Sequence, residues 1–299
     1  EFCQAGQDLA ACEPILNRTK VVSQVAVVLD YNSLWANRIK PIHKEFTYEG
    51  YAQQLVGQLA ALGVNVDLIG ADHPLDGYRL VLVPFAPILP EDFRRKCRDY
   101  AEKGGHLLAM TMAFSRDEWG SGIFEKSPVG MTDFFGMHVV EMEPVFDGQT
   151  DTPVRIGELT IRSHFWQETL ESEGAEVLGV FRGTYRDGWP VLTEHPYGKG
   201  SALYLGTAPA PEDAPALLRW LLERCGVSLP PVEMAYGLSV VTRFSETERY
   251  VFVFNSLPRE QVCRLTRSLE ADYGIGELAG QTLRLPAKGF QILHERREG

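Results

Sequence analysis

The chain has 299 residues, 44% of them hydrophobic and 23% charged, which is enough for two packed domains and ordinary for a globular protein. A formal net charge of −11 disfavours nucleic acid and anionic membrane as partners, since both attract clustered Lys and Arg. No apolar run approaches the roughly 20 residues of a membrane span.

Residues 1–20 read as the tail of a helix, interrupted by Pro14, that continues from chain upstream of Glu1. An α/β unit follows. Its first strand, Val25–Leu29, is all apolar, as in a parallel sheet buried on both faces. Asn32-Ser-Leu-Trp-Ala36 is expected to be a loop. Leu55, Val56, Leu59 and Leu62 form a helical stripe with Gly63 as its C-cap. Val64–Ile69 and Leu80–Val83 are strands two and three. Glu91–Glu102 is an amphipathic helix between Pro90 and Gly104, and His106–Met110 is strand four. Strands joined by single helices predict parallel crossovers.

Residues 114–150, with Phe114, Trp119, Phe124, Phe134 and Phe135, read as a long loop of the kind that serves sites or interfaces. Further strands are expected at Val154–Ile161, Val177–Phe181, Val191–Thr193 and Ala202–Leu205, then a helix at Glu212–Cys225 with Pro215 in its first turn. Leu229-Pro-Pro231 marks a linker. Beyond it, Leu238–Arg243, Tyr250–Asn255, Thr282–Leu285 and Phe290–Leu293 alternate as in a small antiparallel sandwich.

Ligands of open α/β sheets sit beyond the carboxyl ends of the strands, which places a site around Asp30–Trp35 and after Met110. Neither place offers a nucleophile, a phosphate cradle or a metal cluster. Thr111-Met-Ala-Phe114 follows strand four without the Cys or Ser of a nucleophile elbow. Cys97 lies within the amphipathic helix. Gly274-Ile-Gly-Glu-Leu-Ala279 matches G-x-G-x-x-A in letters, but a strand-like segment follows where a helix is required, so it reads as a turn. Trp119-Gly-Ser-Gly122 reads as a loop, and Tyr197-Gly-Lys-Gly200 as a hairpin turn. Glu141 and Glu143 share a strand face, which suits paired-carboxylate chemistry or, more simply, a solvated face. The seven His lack metal-ligand spacing, and Asn17-Arg-Thr19 is a sequon with nothing else to suggest secretion. Five scattered Cys without C-x-x-C pairing are expected to be reduced thiols of a cytoplasmic protein. No cofactor and no metal are expected. Trp35 can stack on a sugar, anchor an interface or fill core, and the residues alone leave these open.

Taken in order, several stretches resemble the β-galactosidases of glycoside hydrolase family 42. Val25-Ala-Val-Val-Leu-Asp-Tyr-Asn-Ser-Leu-Trp-Ala36, Gly63-Val-Asn-Val-Asp67, Tyr78-Arg-Leu-Val-Leu-Val-Pro84, Gly104-Gly-His-Leu-Leu108 and Tyr197-Gly-Lys-Gly-Ser-Ala-Leu-Tyr-Leu-Gly-Thr207 are similar to that family's middle domain. Tyr250-Val-Phe-Val-Phe-Asn255 and Leu285-Pro-Ala-Lys-Gly-Phe290 resemble its C-terminal β domain. The resemblance implies a flavodoxin-like, class I glutamine-amidotransferase-like open sheet with helices on both faces, used for trimerisation, then a small β-sandwich. It implies 1–20 as the residue of a preceding (β/α)₈ barrel, 21–228 as the trimerisation domain and 232–299 as the β domain.

In that family two Glu of the barrel cleave terminal β-galactosides with retention, and neither can be carried onto a position here. The expectation is a non-catalytic, self-associating chain, a homotrimer, meeting a galactoside only through that barrel. Tyr31, Trp35, Trp119 and Phe124 are the candidate interface or neighbour-site contacts. The rival expectation is a free-standing amidotransferase-like α/β enzyme or sugar-binding module, with a pocket around Asp30, Trp35 and Glu118.

Overall fold

The computed structural model describes residues 2–117, 119–121, 125–145 and 152–296. The chain divides into two compact units. One comprises Gln24–Gln58 and Val66–Val227; the other comprises Glu1–Ser23, Leu59–Asn65 and Ser228–Gly299. No described helix is long and apolar enough to cross a membrane.

The first unit is built on a mixed sheet of eleven strands among the described residues. Val25–Val28, Val66–Ile69, Leu80–Val83, His106–Met110 and Gly200–Leu205 form its parallel part. Numbered along the chain, these strands lie side by side in the order 2-1-3-4-5. Val25–Val28 and Leu80–Val83 are 0% exposed at every position, as strands covered on both faces must be. The helix Glu91–Glu102 turns Phe93, Cys97, Tyr100 and Ala101 inward.

The sheet does not end at its fifth parallel strand. It continues antiparallel through Pro190–Tyr197, Glu176–Phe181, Pro153–Ile156 and Leu159–Ser172. The Tyr197-Gly-Lys-Gly200 turn closes a hairpin as expected, with positive φ (58°) at Gly198.

Two expectations for this region are corrected. Val154–Ile161 is not one strand but a hairpin broken at Gly157, whose φ is 57°. The second arm then runs to Ser172, across a stretch with no strand expected. Residues 114–150 are not one long loop either. Thr132–Phe135 is a helical turn, ended by Gly136 at φ 59°, and Met137–Pro144 is a strand paired with Leu159–Ser172. Three of the aromatics here are core: Phe114, Phe134 and Phe135 are 0% exposed and meet ring to ring.

In the second unit, strands Lys20–Val21, Leu238–Phe244, Glu248–Asn255, Phe290–Arg296 and Glu270–Gly274 form one antiparallel sheet. Gln261–Arg264, Thr282–Leu285 and Glu277–Ala279 form another. Val240, Val251, Val253, Leu265, Leu283 and Leu293 pack together as a sandwich core. On a second core cluster, Cys12 and Ile15 of the helix Phe2–Arg18 meet Tyr250, Phe252 and Ile292. Arg243 holds that helix by donating to the carbonyls of Leu16 (3.1 Å) and Thr19 (2.7 Å). The Gly274–Ala279 stretch is strand on either side of a short break, with no helix after it, so no dinucleotide turn exists there.

Gly200 gives a sharp test of the hairpin placement. A Cβ there would stand 2.0 Å from the Gly105 carbonyl oxygen and 2.8 Å from that of Ala101, both backbone atoms. Gly200→Ala is expected to destabilise the first unit by about 3 kcal/mol, the overpacking range. A urea-unfolding midpoint equal to that of the parent chain would contradict this packing.

Candidate functional site

The carboxyl edge of the parallel strands is shaped by a helix where a loop was expected. Tyr31–Ile39 is helical, and Asp30 is its N-cap, its Oδ1 accepting the Ser33 N–H at 2.9 Å. Burial pushes the Asp30 carboxyl above its usual range, against the bonds from Ser33 and Asn32. The inward face of this helix carries Ser33 and Asn37 with a single apolar residue, Leu34, which hides it from a search for apolar periodicity. Ser33 Oγ donates to the Ile88 carbonyl at 2.6 Å and accepts its N–H at 3.1 Å. Asn37 Nδ2 donates to the carbonyls of Ser33 (2.9 Å) and Phe85 (3.1 Å). Tyr48, 0% exposed, donates to the Val28 carbonyl and accepts the Asp30 N–H, both at 3.2 Å.

Beside the polar Asn32 and Arg38, the exposed side carries three large apolar residues. Tyr31, Trp35 and Ile39 are 68%, 59% and 85% exposed. They stand four residues apart on one helix, so they form a continuous stripe. Trp119 is also exposed, on a separate turn in which the Asp117 carboxylate accepts the N–H groups of Trp119 (3.0 Å) and Ser121 (2.8 Å). The structure therefore joins Tyr31 and Trp35 with Ile39, a residue the sequence reading passed over. The signal that could have found it is the four-residue spacing behind an Asp cap. Phe124 and Glu118 lie outside the described residues.

A hollow of about 380 Å³ opens beside this helix. Asn37 and Lys40 line it from the helix, and Met112, Arg116, Met142 and Trp166 line it from elsewhere. Asp30 and Trp35 are not among its lining residues. Met112 occupies the turn after strand four with φ at 65°, a conformation L residues rarely adopt. It is the position a nucleophile elbow would use, and a thioether has no such chemistry.

The Met112 N–H donates to Glu168 Oε1 at 3.0 Å, and the Tyr204 hydroxyl donates to Glu168 Oε2 at 2.8 Å. Glu168 is 0% exposed, and desolvation drives its pKa upward against these bonds. Trp166 Nε1 and Thr111 Oγ1 are buried beside the same carboxylate and add to the pull that lowers its pKa. The sequence reading missed Glu168 because its strand was not expected.

The remaining candidates are structural. Glu141 and Glu143 are held by the buried Arg186, at 3.2 Å and 2.5 Å, and Arg186 also donates to Gln167 at 3.0 Å. That pairing opposes a role as free acid and base. Cys97 is 0% exposed and burial pushes its thiol far up, so it supplies no thiolate. Ser201 donates to Glu194 at 2.6 Å and meets His106 Nδ1 at 2.8 Å, where burial lowers the histidine pKa. His106 opens its strand, at the end away from the expected site. No group of three or more His, Cys, Asp or Glu placed to hold a metal occurs among the described residues.

The family model described as the β-galactosidase trimerisation domain matches residues 23–228, and the chain belongs to that family. β-Galactosidase LacZ of Heyndrickxia coagulans is 28% identical over 297 residues, 98% of this chain and 44% of that protein. β-Galactosidase BgaH of Haloferax lucentense is 28% identical over 221 residues, 73% of this chain and 33% of that protein. The β-galactosidase structure from Bacillus circulans sp. alkalophilus superposes with a TM-score of 0.86 at 20% identity, over 98% of this chain and 44% of that one. That likeness establishes the fold: a large mixed α/β sheet accompanied by antiparallel sheets. The chain spans less than half the length of these relatives.

Glu168 supplies a pH test. Its folded pKa is raised, so the folded chain holds the proton more tightly than the unfolded chain. Its contribution to stability is therefore most favourable below the unfolded value of about 4.3 and declines as pH rises through the folded pKa. Glu168→Gln is expected to remove that decline and leave stability at neutral pH equal or higher. Glu168→Ala, which strands the Met112 N–H and the Tyr204 hydroxyl, is expected to lose about 1–3 kcal/mol. Thermal unfolding from pH 4 to 8 reads both, and a Gln variant with the parent's pH slope would refute the assignment.

Proposed function

We propose that this chain is the assembly region of a β-galactosidase-type glycoside hydrolase and that its own activity is to hold copies together as a homotrimer. The observation that carries this reading is the Tyr31–Trp35–Ile39 stripe, three large apolar side chains exposed on one helix within the matched residues 23–228. Large contiguous apolar surface is rarely left in water, and aromatic anchors dominate interface energies. Trp119 and Phe124 are the further contacts we assign to a subunit or to a neighbour's active site. The complete protein would hydrolyse terminal β-galactosides with retention, through carboxylates this chain does not supply.

We take the parallel part as a flavodoxin-like, amidotransferase-like sheet, because its 2-1-3-4-5 order is the order of that class. We divide the chain into a leading helix and linker within 1–20, an assembly domain over 21–228 and a β domain over 232–299. Five unpaired cysteines support a reducing, cytoplasmic location.

Sedimentation of the purified chain tests the assembly reading. A trimer is expected at micromolar concentration. Trp35→Ala combined with Ile39→Asp is expected to weaken association at least 100-fold, since hot-spot side chains each contribute about 2 kcal/mol or more. A parent chain that stays monomeric at high concentration would overturn the proposal. The same preparation is expected to leave a nitrophenyl β-galactoside uncleaved, and turnover would place catalytic carboxylates in this chain.

A further inference from the structure

We propose that the hollow beside the Tyr31–Ile39 helix is a binding site for a small carboxylate ligand with a ring-shaped body, such as a sugar acid. The proposal is independent of the assembly reading.

Charge is the first observation. In a chain of net charge −11, Lys40 and Arg116 both line this hollow, and none of its described lining residues is acidic. Neither cation makes an ion pair with a described residue. Arg116 is nonetheless held in place. Its N–H donates to the Pro87 carbonyl at 3.0 Å, and its own carbonyl accepts from the buried Arg94 at 3.1 Å. Its Nη1 reaches the Gly120 carbonyl at 3.3 Å, which leaves the other donors of the guanidinium fork for a carboxylate.

The second observation is a fixed acceptor. Both bonds of Asn37 run from Nδ2 to backbone carbonyls, which orients the amide and leaves Oδ1 able to accept from a ligand hydroxyl.

The third is the wall. Trp166 and the apolar surfaces of Met112 and Met142 complete the lining. An aromatic face with apolar neighbours takes the less polar face of a sugar ring, with polar groups to orient it. The adjacent strand segregates its side chains accordingly: Met142 lines the hollow while Glu141 and Glu143 are tied to Arg186.

Place is the fourth. The hollow lies at the carboxyl edge of the parallel strands, where open α/β sheets take their ligands. Met112 is held there in a left-handed conformation by its bond to buried Glu168, and such conformations cluster at ligand clamps. Without a nucleophile at that turn, the arrangement can bind but has no means to form a covalent intermediate.

The test is a tryptophan-fluorescence titration of the purified chain with D-galacturonate, D-galactose and sulfate, with sedimentation in parallel. Saturable quenching by galacturonate is expected, weakened by added salt, with galactose at least tenfold weaker. Sulfate is expected to compete poorly, because it has no ring to lie on Trp166. Lys40→Glu is expected to weaken galacturonate binding at least tenfold at unchanged mass and thermal midpoint. Arg116→Lys, which keeps the charge but loses the fork, is expected to weaken it severalfold. Trp166→Phe is expected to remove most of the quenching.

Equal affinity for galactose would overturn the carboxylate assignment, and equal affinity for sulfate would overturn the ring. Absence of galacturonate binding would overturn the site. Loss of mass in Lys40→Glu without any titration would assign the hollow to contact between copies instead.

Discussion

A parallel sheet buried on both faces brings the ends of its strands into a dry interior, and every N–H and C=O exposed at its carboxyl edge must find a partner there. In this protein side chains meet that demand. Tyr48 bridges the Val28 carbonyl and the Asp30 N–H. Ser33 takes both backbone groups of Ile88, Asn37 takes the Phe85 carbonyl, and Arg94 takes the carbonyls of Leu89 and Arg116. Glu168 takes the Met112 N–H. Each such bond contributes only about 1 kcal/mol net, but leaving its buried partner unpaired costs about 1–3 kcal/mol. These side chains are therefore constrained by the sheet before any ligand or subunit is considered.

The surface of that edge follows from the constraint. Because Ser33 and Asn37 must face the loops, the helix that carries them presents Tyr31, Trp35 and Ile39 to the outside. Ser33 and Asn37 face inward beside Leu34, while the largest apolar side chains of this element face outward. Anchored by these hydrogen bonds and by Leu34, the helix leaves Tyr31, Trp35 and Ile39 outside its own packing. The neighbouring hollow inherits the same rigidity, since Asn37 and Arg116 are held by backbone partners on its two sides.

The described groups nearest to catalytic chemistry are each held in another role. The turn after strand four carries Met112, and the buried thiol of Cys97 is held protonated. The carboxylates Glu141 and Glu143 neutralise the buried Arg186. What this edge of the sheet presents is a hollow lined by two cations and a line of exposed apolar side chains.

The local pattern was enough to determine the apolar strands Val25–Val28, Leu80–Val83 and His106–Met110. It also determined the Glu91–Glu102 helix, the Gly198–Lys199 hairpin and the alternating strands after Leu229, because burial on one or two faces writes a period into neighbouring residues. The same pattern hid the Tyr31–Ile39 helix, whose buried residues are Ser33 and Asn37 with Leu34 alone as an apolar signal. It also hid the long strand Leu159–Ser172, whose buried Gln167, Glu168 and Thr169 read as exposed until their partners are known. The surroundings of Arg116 and Glu168 depend on contacts 22 and 56 residues away in sequence, and the exposure of Trp35 depends on a helix face. No window along the chain contains such contacts, so only the packed sheet decides which polar groups are spent within it and which remain for a partner.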